Sequence, residues 1–165
     1  MIFYEVICRF RIALCGACER YGVEPDLRTL GKALGGGMPV SAVVGKGDLI
    51  DRVTAGVVHA GTYNGNPLVL SAVSATIKEL SKDGVFDALE ARGRDLADGF
   101  VRALGATDTR FAVNQVGPVV QCALGVDELT SYEDFAGADW KLYARLVFAL
   151  CDRGNFALPG VRLSV

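Results

Sequence analysis

The sequence predicts a fold of the α/β class, in which short apolar strands are combined with amphipathic helices. Residues 2–7 and 38–44 are apolar stretches of strand length, bounded by arginines or glycines. Residues 67–84 follow an asparagine, begin with a proline and repeat apolar residues at helical spacing up to a glycine. Together these stretches indicate that strands and helices are mixed along the chain.

The first predicted strand, residues 2–7, is expected to be buried. Alternation along a strand places Tyr4 and Val6 on one face and Glu5 on the other. The elements predicted next are a short helix and loop over residues 11–24, the strand over 38–44, a short helix over 47–53 and the helix over 67–84.

The second half of the chain shows a different pattern. An amphipathic helix is predicted from Val85 onward, with apolar residues along one side and charged residues largely outside. The elements predicted after it are strands over residues 111–116 and 119–124, a polar connection over 130–137, a helix over 138–152 and a last strand over 161–165.

The charge balance argues against several classes of partner. With 17 basic and 19 acidic residues the net charge is -2, so the chain has no electrostatic footprint for nucleic acid or for a membrane surface. Its apolar runs fall short of the roughly 20 residues that span a bilayer. Glu5, Arg9 and Arg11 interrupt the N-terminal apolar stretch, which argues against an export signal. We therefore expect a cytoplasmic protein with small-molecule partners.

The cysteines suggest a reducing compartment. There are five, without regular spacing: Cys8, Cys15, Cys18, Cys122 and Cys151. Free thiols fit this odd number better than disulfides do. Cys15 and Cys18 form one CxxC motif, which alternatively is half a zinc site or a redox pair. No second CxxC follows and the single histidine, His59, is distant in sequence, so buried or incidental thiols are the preferred interpretation.

Residues 25–40, PDLRTLGKALGGGMPV, place Lys32 between an apolar run and three consecutive glycines. Glycines at positions 35–37 let the backbone bend closely around whatever lies beside the amine. The ordinary interpretation is a solvated lysine before a flexible turn. The alternative is a lysine in a shaped site, where a partly desolvated, neutral amine acts as nucleophile or base.

A second candidate site is the loop HAGTYNGN at residues 59–66. Small and hydroxyl residues beside glycines present backbone N–H groups and a side-chain donor to a phosphate. From the residues alone, a plain turn is the preferred interpretation.

The run DLRTLGKALGGGMPVSAVVGKGDLIDRV, followed by HAGTYNGNPL, resembles the class III aminotransferases, which are fold-type I enzymes that use pyridoxal phosphate (PLP). The likeness is greatest to glutamate-1-semialdehyde aminomutase and its aminotransferase relatives. It implies a fragment, roughly the last two-fifths of a full chain. Residues 1–84 would be the C-terminal part of the PLP-binding large domain with its mostly parallel sheet, and residues 85–165 most of the small α+β C-terminal domain.

The resemblance also implies roles for four residues. Lys32 is the lysine that forms the Schiff base with PLP and moves the α-proton. Val6 packs on the cofactor ring, and Tyr4 occupies the position at which the family has an aspartate that holds the ring nitrogen. Thr62 reaches the PLP phosphate bound by the neighbouring subunit, which implies a homodimer with shared sites.

Tyr4 departs from the family pattern in a way that affects the chemistry. A tyrosine hydroxyl hydrogen-bonds but does not supply the negative charge that keeps the ring nitrogen protonated. Glu5 is expected on the opposite face and does not replace the missing carboxylate, and Arg9 stands where relatives usually have glycine. We therefore predict a poor transaminase. Unpaired strand edges also lead us to expect poor solubility.

The function implied by the resemblance is PLP-dependent transfer of an amino group between an amino donor and an oxo acid or aldehyde. A glutamate-1-semialdehyde 2,1-aminomutase is the second hypothesis. His59, Tyr63 and Asn64 depart from the aminomutase pattern and favour a transaminase. An inactive, truncated or degenerate family member is the third hypothesis, and a small CxxC redox module is the fourth.

Overall fold

The computed structural model describes Met1–Ala157, and its N-terminal part contains a sheet of three strands. In the order β1-β2-β3 these strands are β1 (Ile2–Tyr4), β2 (Leu27–Leu30) and β3 (Ala42–Gly45). β1 and β2 are parallel, with Tyr4 opposite Thr29, whereas β3 is antiparallel to β2. The mostly parallel sheet that was predicted is thus represented here by one parallel and one antiparallel pair.

Two strands are shorter than predicted. β1 ends at Tyr4 rather than at residue 7, and β3 begins at Ala42 rather than at residue 38. The Glu5 amide still donates to the Thr29 carbonyl at 3.0 Å, but the chain then turns and the pairing ends. The expectation of a buried first strand is wrong, because β1 is an edge strand on which Ile2 and Tyr4 are exposed.

Short helical segments and one longer helix accompany the sheet. They are α1 (Ala17–Tyr21), a 3-10 turn (Lys32–Gly35), α2 (Gly47–Ile50), a second 3-10 turn (Asp51–Ala55) and α3 (Pro67–Leu80). The predicted start of α3 is confirmed, because the Asn66 side chain accepts hydrogen bonds from the amides of Leu68 and Val69 at 3.0 and 3.2 Å.

A small apolar core joins β2 and α3 to the turn that follows β2. Phe10, Leu30 and Leu34 are buried together, and Val73 and Leu80 of α3 pack against them. Removal of apolar surface from water is the main favourable term in folding. This packing therefore holds the Lys32–Gly35 turn against α3.

The later part of the described chain contains further helices and two strands. They are α4 (Val85–Gly105), β4 (Phe111–Val116), β5 (Val119–Leu124), α5 (Tyr132–Gly137) and α6 (Trp140–Cys151). β4 and β5 pair with one another and confirm the predicted strands. The helix predicted over residues 138–152 is observed as α6, and the strand predicted over 161–165 lies outside the described residues.

The polar connection predicted over residues 130–137 is wrong, because it contains α5. The Ser131 side chain accepts a hydrogen bond from the Asp134 amide, and the Asp134 carboxylate accepts one from the Ser131 amide. This reciprocal capping starts a helix in a stretch that lacks a long apolar pattern.

The chain divides into two compact units, and the division falls inside α4. The first unit contains Met1–Arg92 and Gly117–Val119, and the second contains Gly93–Val116 and the described residues from Val120 onward. The assignment of residues 1–84 and 85–165 to a large and a small domain stays a prediction. Between Met1 and Ala157, no helix combines the length and apolar character needed to cross a membrane.

Candidate functional site

Lys32 begins a tight turn directly after β2. The strand ends at Leu30, Gly31 is extended, and Lys32 has a φ of 46° in the left-handed region. For a residue other than glycine this conformation is uncommon and costs about 1–3 kcal/mol, so the surrounding structure must hold it. The lysine side chain is exposed. The turn therefore presents the amine rather than burying it.

Glycines let other segments approach this turn closely. A Cβ at Gly31 would lie 3.3 Å from Cγ1 of Val6, which is tighter than an ordinary carbon contact. A Cβ at Gly36, whose φ is 56°, would overlap the hydroxyl of Thr76 in α3. The glycines thus permit close packing on two sides, against Val6 from earlier in the chain and against α3 from later in it.

Val6 and Tyr4, two of the predicted site residues, differ in their surroundings. Val6 contacts Gly31, the residue immediately before Lys32. Tyr4 lies opposite Thr29 in the sheet, and it is 70% exposed. The Thr29 hydroxyl is buried and has no hydrogen-bond partner within the described part of the chain. The structure thus places Val6 beside the Lys32 turn and leaves Tyr4 largely open to solvent.

Glu5 is buried, with 1% of its surface exposed. Its two carboxylate oxygens accept hydrogen bonds from the amides of Ala17 and Cys18, each at 3.1 Å, at the start of α1. Gly16 makes room for the carboxylate, because a Cβ there would overlap it. Burial and, secondarily, the Glu5 charge raise the pKa of the Cys8 thiol. Glu5 is thus engaged in capping α1, and its relation to a cofactor stays a prediction.

Thr62 lies in an exposed turn that is distinct from the Lys32 turn. The Asn64 amide donates to the Gly61 carbonyl at 3.0 Å and closes this turn. In the part of the chain that the structure describes, no hydrogen bond joins Thr62 to Lys32. The two candidate residues are therefore not linked within this chain.

A cleft of about 1190 Å³ lies within the first unit, between β2, β3 and α3. Lys32 and Thr62 do not line it. Its polar lining includes the side chains of Arg9, Arg28, Lys46, His59 and Asn66. Sequence reasoning missed Arg28 at this surface, although a charged residue between Leu27 and Leu30 was a signal that could have found it.

Ion pairs hold two of the cations beside the cleft. The Arg28 Nη2 lies 2.7 Å from a Glu24 carboxylate oxygen, and the Lys46 Nζ lies 2.6 Å from Asp26 Oδ1. The hydrogen bond from Lys46, followed by that from the N-terminal ammonium of Met1, lowers the pKa of Asp26 to about 2. Asp26 in turn raises the pKa of Lys46.

All five cysteines are free thiols in the structure. The Cys18 thiol donates to the Cys15 carbonyl at 2.9 Å, and Arg9 Nη2 lies 3.7 Å from the Cys15 sulfur. Within Met1–Ala157, no group of three or more histidine, cysteine or acidic side chains is placed to hold a metal ion. The CxxC motif is thus a pair of free thiols, one of which contacts an arginine.

Comparison with known proteins gives a family and curated relatives. Residues 1–124 match the profile of the family described as Aminotransferase class-III. A glutamate-1-semialdehyde 2,1-aminomutase from Prosthecochloris aestuarii (strain DSM 271 / SK 413) is 38% identical over 161 residues, which are 96% of this chain and 37% of the relative. The chain thus spans little more than a third of the length of such relatives.

Solved structures share the fold. An omega-transaminase from Sphaerobacter thermophilus superposes with a TM-score of 0.83 at 30% identity, over 96% of this chain and 37% of that one. A transaminase with PLP bound gives a TM-score of 0.78 at 24% identity, again over 96% of this chain and 37% of the other. These likenesses confirm the predicted fold, a fragment of the α/β fold of the fold-type I PLP-dependent transferases.

Proposed function

The chain belongs to the class III aminotransferase family, and from this membership we propose that it supplies the lysine-bearing part of an enzyme that uses pyridoxal 5'-phosphate to transfer amino groups. The transfer runs between an amino donor and an oxo acid or aldehyde. Because the chain spans 37% of its relatives' length, further protein segments are proposed to complete the site.

The observation that carries this proposal is the backbone of Lys32. A left-handed lysine at the end of β2, with glycines on both sides and an exposed amine, is a costly arrangement that ordinary surface lysines do not need. Val6 lies against Gly31, the residue before Lys32, and this closeness supports its proposed role beside the cofactor ring. Lys32 and Val6 thus fit the part of the cofactor that carries the reactive aldehyde.

Lys32 would hold the cofactor and move the proton. When bound, pyridoxal 5'-phosphate supplies an aldehyde that reacts with primary amines and a ring that withdraws electrons from the substrate carbon. Lys32 Nζ provides the amine that anchors the aldehyde. The same Nζ would be the group that takes a proton from the substrate carbon and returns it.

Tyr4 favours a second candidate function, that of a family member with little or no activity. A tyrosine hydroxyl carries no negative charge at neutral pH, so it does not hold a protonated ring nitrogen as a carboxylate does. The nearest buried carboxylate, Glu5, already accepts two backbone hydrogen bonds at α1. We therefore expect weak activity even when the rest of the site is supplied.

The substrate and the assembly are also proposals. A transaminase remains our first choice because His59, Tyr63 and Asn64 depart from the aminomutase pattern, whereas the aminomutase name of the 38% identical relative favours the alternative. Thr62 lies in an exposed turn, as a residue that reaches the cofactor phosphate of a neighbouring subunit in a homodimer would. The cytoplasmic location stays a prediction.

Trapping the cofactor on the chain tests this function. The purified chain is incubated with PLP, reduced with borohydride and mapped by peptide mass spectrometry, beside the variants Lys32→Ala and Lys46→Ala. We expect a phosphopyridoxyl adduct on Lys32 that disappears in Lys32→Ala and persists in Lys46→Ala. Labelling spread evenly over the lysines, or unchanged total labelling in Lys32→Ala, would contradict the proposal.

A further inference from the structure

We infer that Cys15 and Cys18 form an oxidation-sensitive thiol pair, in which Arg9 activates the Cys15 sulfur and Cys18 completes a disulfide. The pair lies in the segment that leads into α1, within the first unit. This inference is independent of the function proposed for Lys32, because it uses none of the residues assigned to the cofactor.

Arg9 is half-buried, and among the described residues its guanidinium forms no ion pair with a carboxylate. Its Nε and Nη1 are inaccessible to solvent and have no hydrogen-bond partner in the described residues. The ion pairs between Met1 and Ala157 do not include it. An arginine keeps its proton in proteins, and a buried unpaired charge is costly. The fold therefore favours any anion that forms within reach of this guanidinium.

The group within reach is the Cys15 sulfur. Arg9 Nη2 lies 3.7 Å from it, and the guanidinium also lies over the Phe10 ring, 5.2 Å from its centroid. The ring offers a weak attraction to the cation but no full negative charge. A thiolate at Cys15 supplies that charge, and a thiolate is the nucleophilic form of cysteine.

The nearby carboxylates of Glu5 and Glu19 accept hydrogen bonds from backbone amides. Glu5 accepts from the amides of Ala17 and Cys18, and Glu19 accepts from the Cys15 amide at 2.7 Å. Both carboxylates bind backbone donors, whereas Arg9 is the cation that contacts the sulfur itself. Arg9 is thus the charged side chain in hydrogen-bond contact with the Cys15 sulfur, whereas both carboxylates are bound to backbone amides.

Cys18 is placed to complete a disulfide. Its thiol donates to the Cys15 carbonyl at 2.9 Å, which holds the two residues on adjacent sides of one turn. Cysteines three residues apart in such a turn are close enough for bridging, which requires Cα atoms within about 7 Å. Cys15 is half-buried, and Cys18 is buried.

The reaction that follows uses a hydroperoxide as the oxidant. The Cys15 thiolate attacks one peroxide oxygen, an S–O bond forms, the O–O bond breaks, and the departing oxygen takes up a proton from solvent to leave as water or an alcohol. The Cys18 sulfur then attacks the Cys15 sulfur, the S–O bond breaks, and the hydroxide takes the Cys18 proton and leaves as water. The two thiols lose two electrons, which the peroxide gains.

Other cysteines in the same chain serve as internal controls. Burial raises the pKa of Cys122 to about 11, and burial with the Glu5 charge raises the pKa of Cys8. Both shifts disfavour the reactive thiolate form of these two cysteines. Selective reaction at Cys15 is thus distinguishable from general oxidation of the chain.

The first measurement is the rate at which iodoacetamide alkylates each cysteine, resolved by peptide mass spectrometry, in the native chain and in the same chain unfolded in urea. We expect Cys15 to react about threefold or more faster in the native chain than in urea, and Cys8 and Cys122 to react more slowly in the native chain. A native Cys15 rate at or below its rate in urea would overturn the inference.

Variants separate the charge of Arg9 from its bulk. The quantity compared is the ratio of the Cys15 alkylation rate in the native chain to the rate in urea. Arg9→Met should abolish the rise in this ratio, and Arg9→Lys should keep part of it. Arg11→Met, which changes an exposed neighbour, should leave the ratio unchanged. An Arg9→Met chain that keeps the full excess would refute activation by Arg9. If Arg9→Met does not fold, Arg9→Gln, which also lacks the positive charge, is compared in the native state and in urea instead.

Treatment with hydrogen peroxide tests the second thiol. The chain should lose the mass of two hydrogens, reversibly with dithiothreitol, and the digest should contain a Cys15–Cys18 crosslink. Cys18→Ser should stop at the sulfenic acid on Cys15, which dimedone traps, and Cys151→Ser should behave as the unaltered chain does. A crosslink to Cys8, or equal oxidation of every thiol, would overturn the pairing.

Discussion

Val6 packs against Gly31, with its Cγ1 only 3.3 Å from the place that a Cβ on Gly31 would occupy. This contact joins the segment after β1 to the residue before Lys32. Two positions that the family resemblance assigns to one cofactor are therefore neighbours in this chain, even though β1 and β2 are separated by the loop that carries α1.

The Gly31→Ala variant should be destabilised through this contact alone. Because Gly31 is extended, alanine adopts its backbone without strain, and the added methyl group acts by crowding Val6. We expect the free energy of unfolding in urea to fall by about 1 kcal/mol. In the double variant Gly31→Ala, Val6→Ala, the loss in the free energy of unfolding should be smaller than the sum of the losses in the two single variants.

A matched control for this experiment is Gly99→Ala in α4. A Cβ there meets nothing within 4 Å, so alanine should raise stability by about 0.5–1 kcal/mol through helix propensity. If the losses in the free energy of unfolding of the Gly31 and Val6 variants are strictly additive, crowding between these two residues is not the cause of the destabilisation.

The backbone of Lys32 predicts an unusual order of stabilities. Glycine adopts a φ of 46° without strain, so Lys32→Gly should be more stable than Lys32→Ala by about 1 kcal/mol in urea unfolding. Both variants remove the amine equally. The comparison pair is Lys46→Gly and Lys46→Ala, where φ is -62° and alanine should be at least as stable as glycine. The same order at both positions would contradict strain at Lys32.

Tyr4→Asp should improve cofactor retention. A carboxylate that holds a protonated ring nitrogen forms a charge-assisted hydrogen bond, for which we expect about a tenfold tighter hold on PLP, or ~1.4 kcal/mol. The amount of adduct trapped on Lys32 at limiting PLP measures this effect, and Tyr4→Phe is the control for loss of the tyrosine hydroxyl. Equal trapping in Tyr4→Asp and Tyr4→Phe would show that position 4 does not act on the cofactor.

Glu5→Ala should destabilise the start of α1. It leaves the amides of Ala17 and Cys18 without their carboxylate acceptor, and an unpaired buried donor costs about 1–3 kcal/mol. Hydrogen exchange at these two amides should speed up, and urea unfolding should shift to lower concentrations. Glu19→Ala, which removes an exposed acceptor of the Cys15 amide, is the control and should cost less.

Asp26 predicts a loss of stability in acid. Its folded pKa of about 2 lies below the ordinary value of 3.8, so its ion pairs stabilise the fold above pH 4 and are lost as the pH falls toward 2. The effect should be small because the pair with Lys46 is exposed to solvent. Urea unfolding of Asp26→Asn between pH 4 and 2 should show a shallower loss than the unaltered chain, and Asp108→Asn should match the latter.

Features encoded by neighbouring residues were predictable from the sequence. Asn66 followed by Pro67 fixed the start of α3, and Gly31 and Gly36 around Lys32 indicated a tight turn, because these effects act within a few residues. The helix at Tyr132–Gly137 was missed because its signal is the capping pair at its start rather than an apolar repeat.

Features that depend on distant residues were not predictable in the same way. The cap that Glu5 provides for Ala17 and Cys18 joins residues that are far apart in sequence. The alternation of side chains along a strand predicted only the face on which Glu5 lies. The exposure of Tyr4 follows from the edge position of β1, which no local pattern reveals. The roles of Lys32, Val6, Tyr4 and Thr62 toward a cofactor stay predictions.

The contact between Gly36 and Thr76 also bears on the order in which the chain matures during synthesis. Val6 leaves the ribosome before Lys32, but α3, with Thr76, Val73 and Leu80, emerges well after it. Contacts between residues distant in sequence form late, because the intervening loop must first close. We therefore expect the lysine-bearing turn to take its final shape only after α3 has formed. A nascent chain halted ahead of Thr76 would lack the packing that holds this turn.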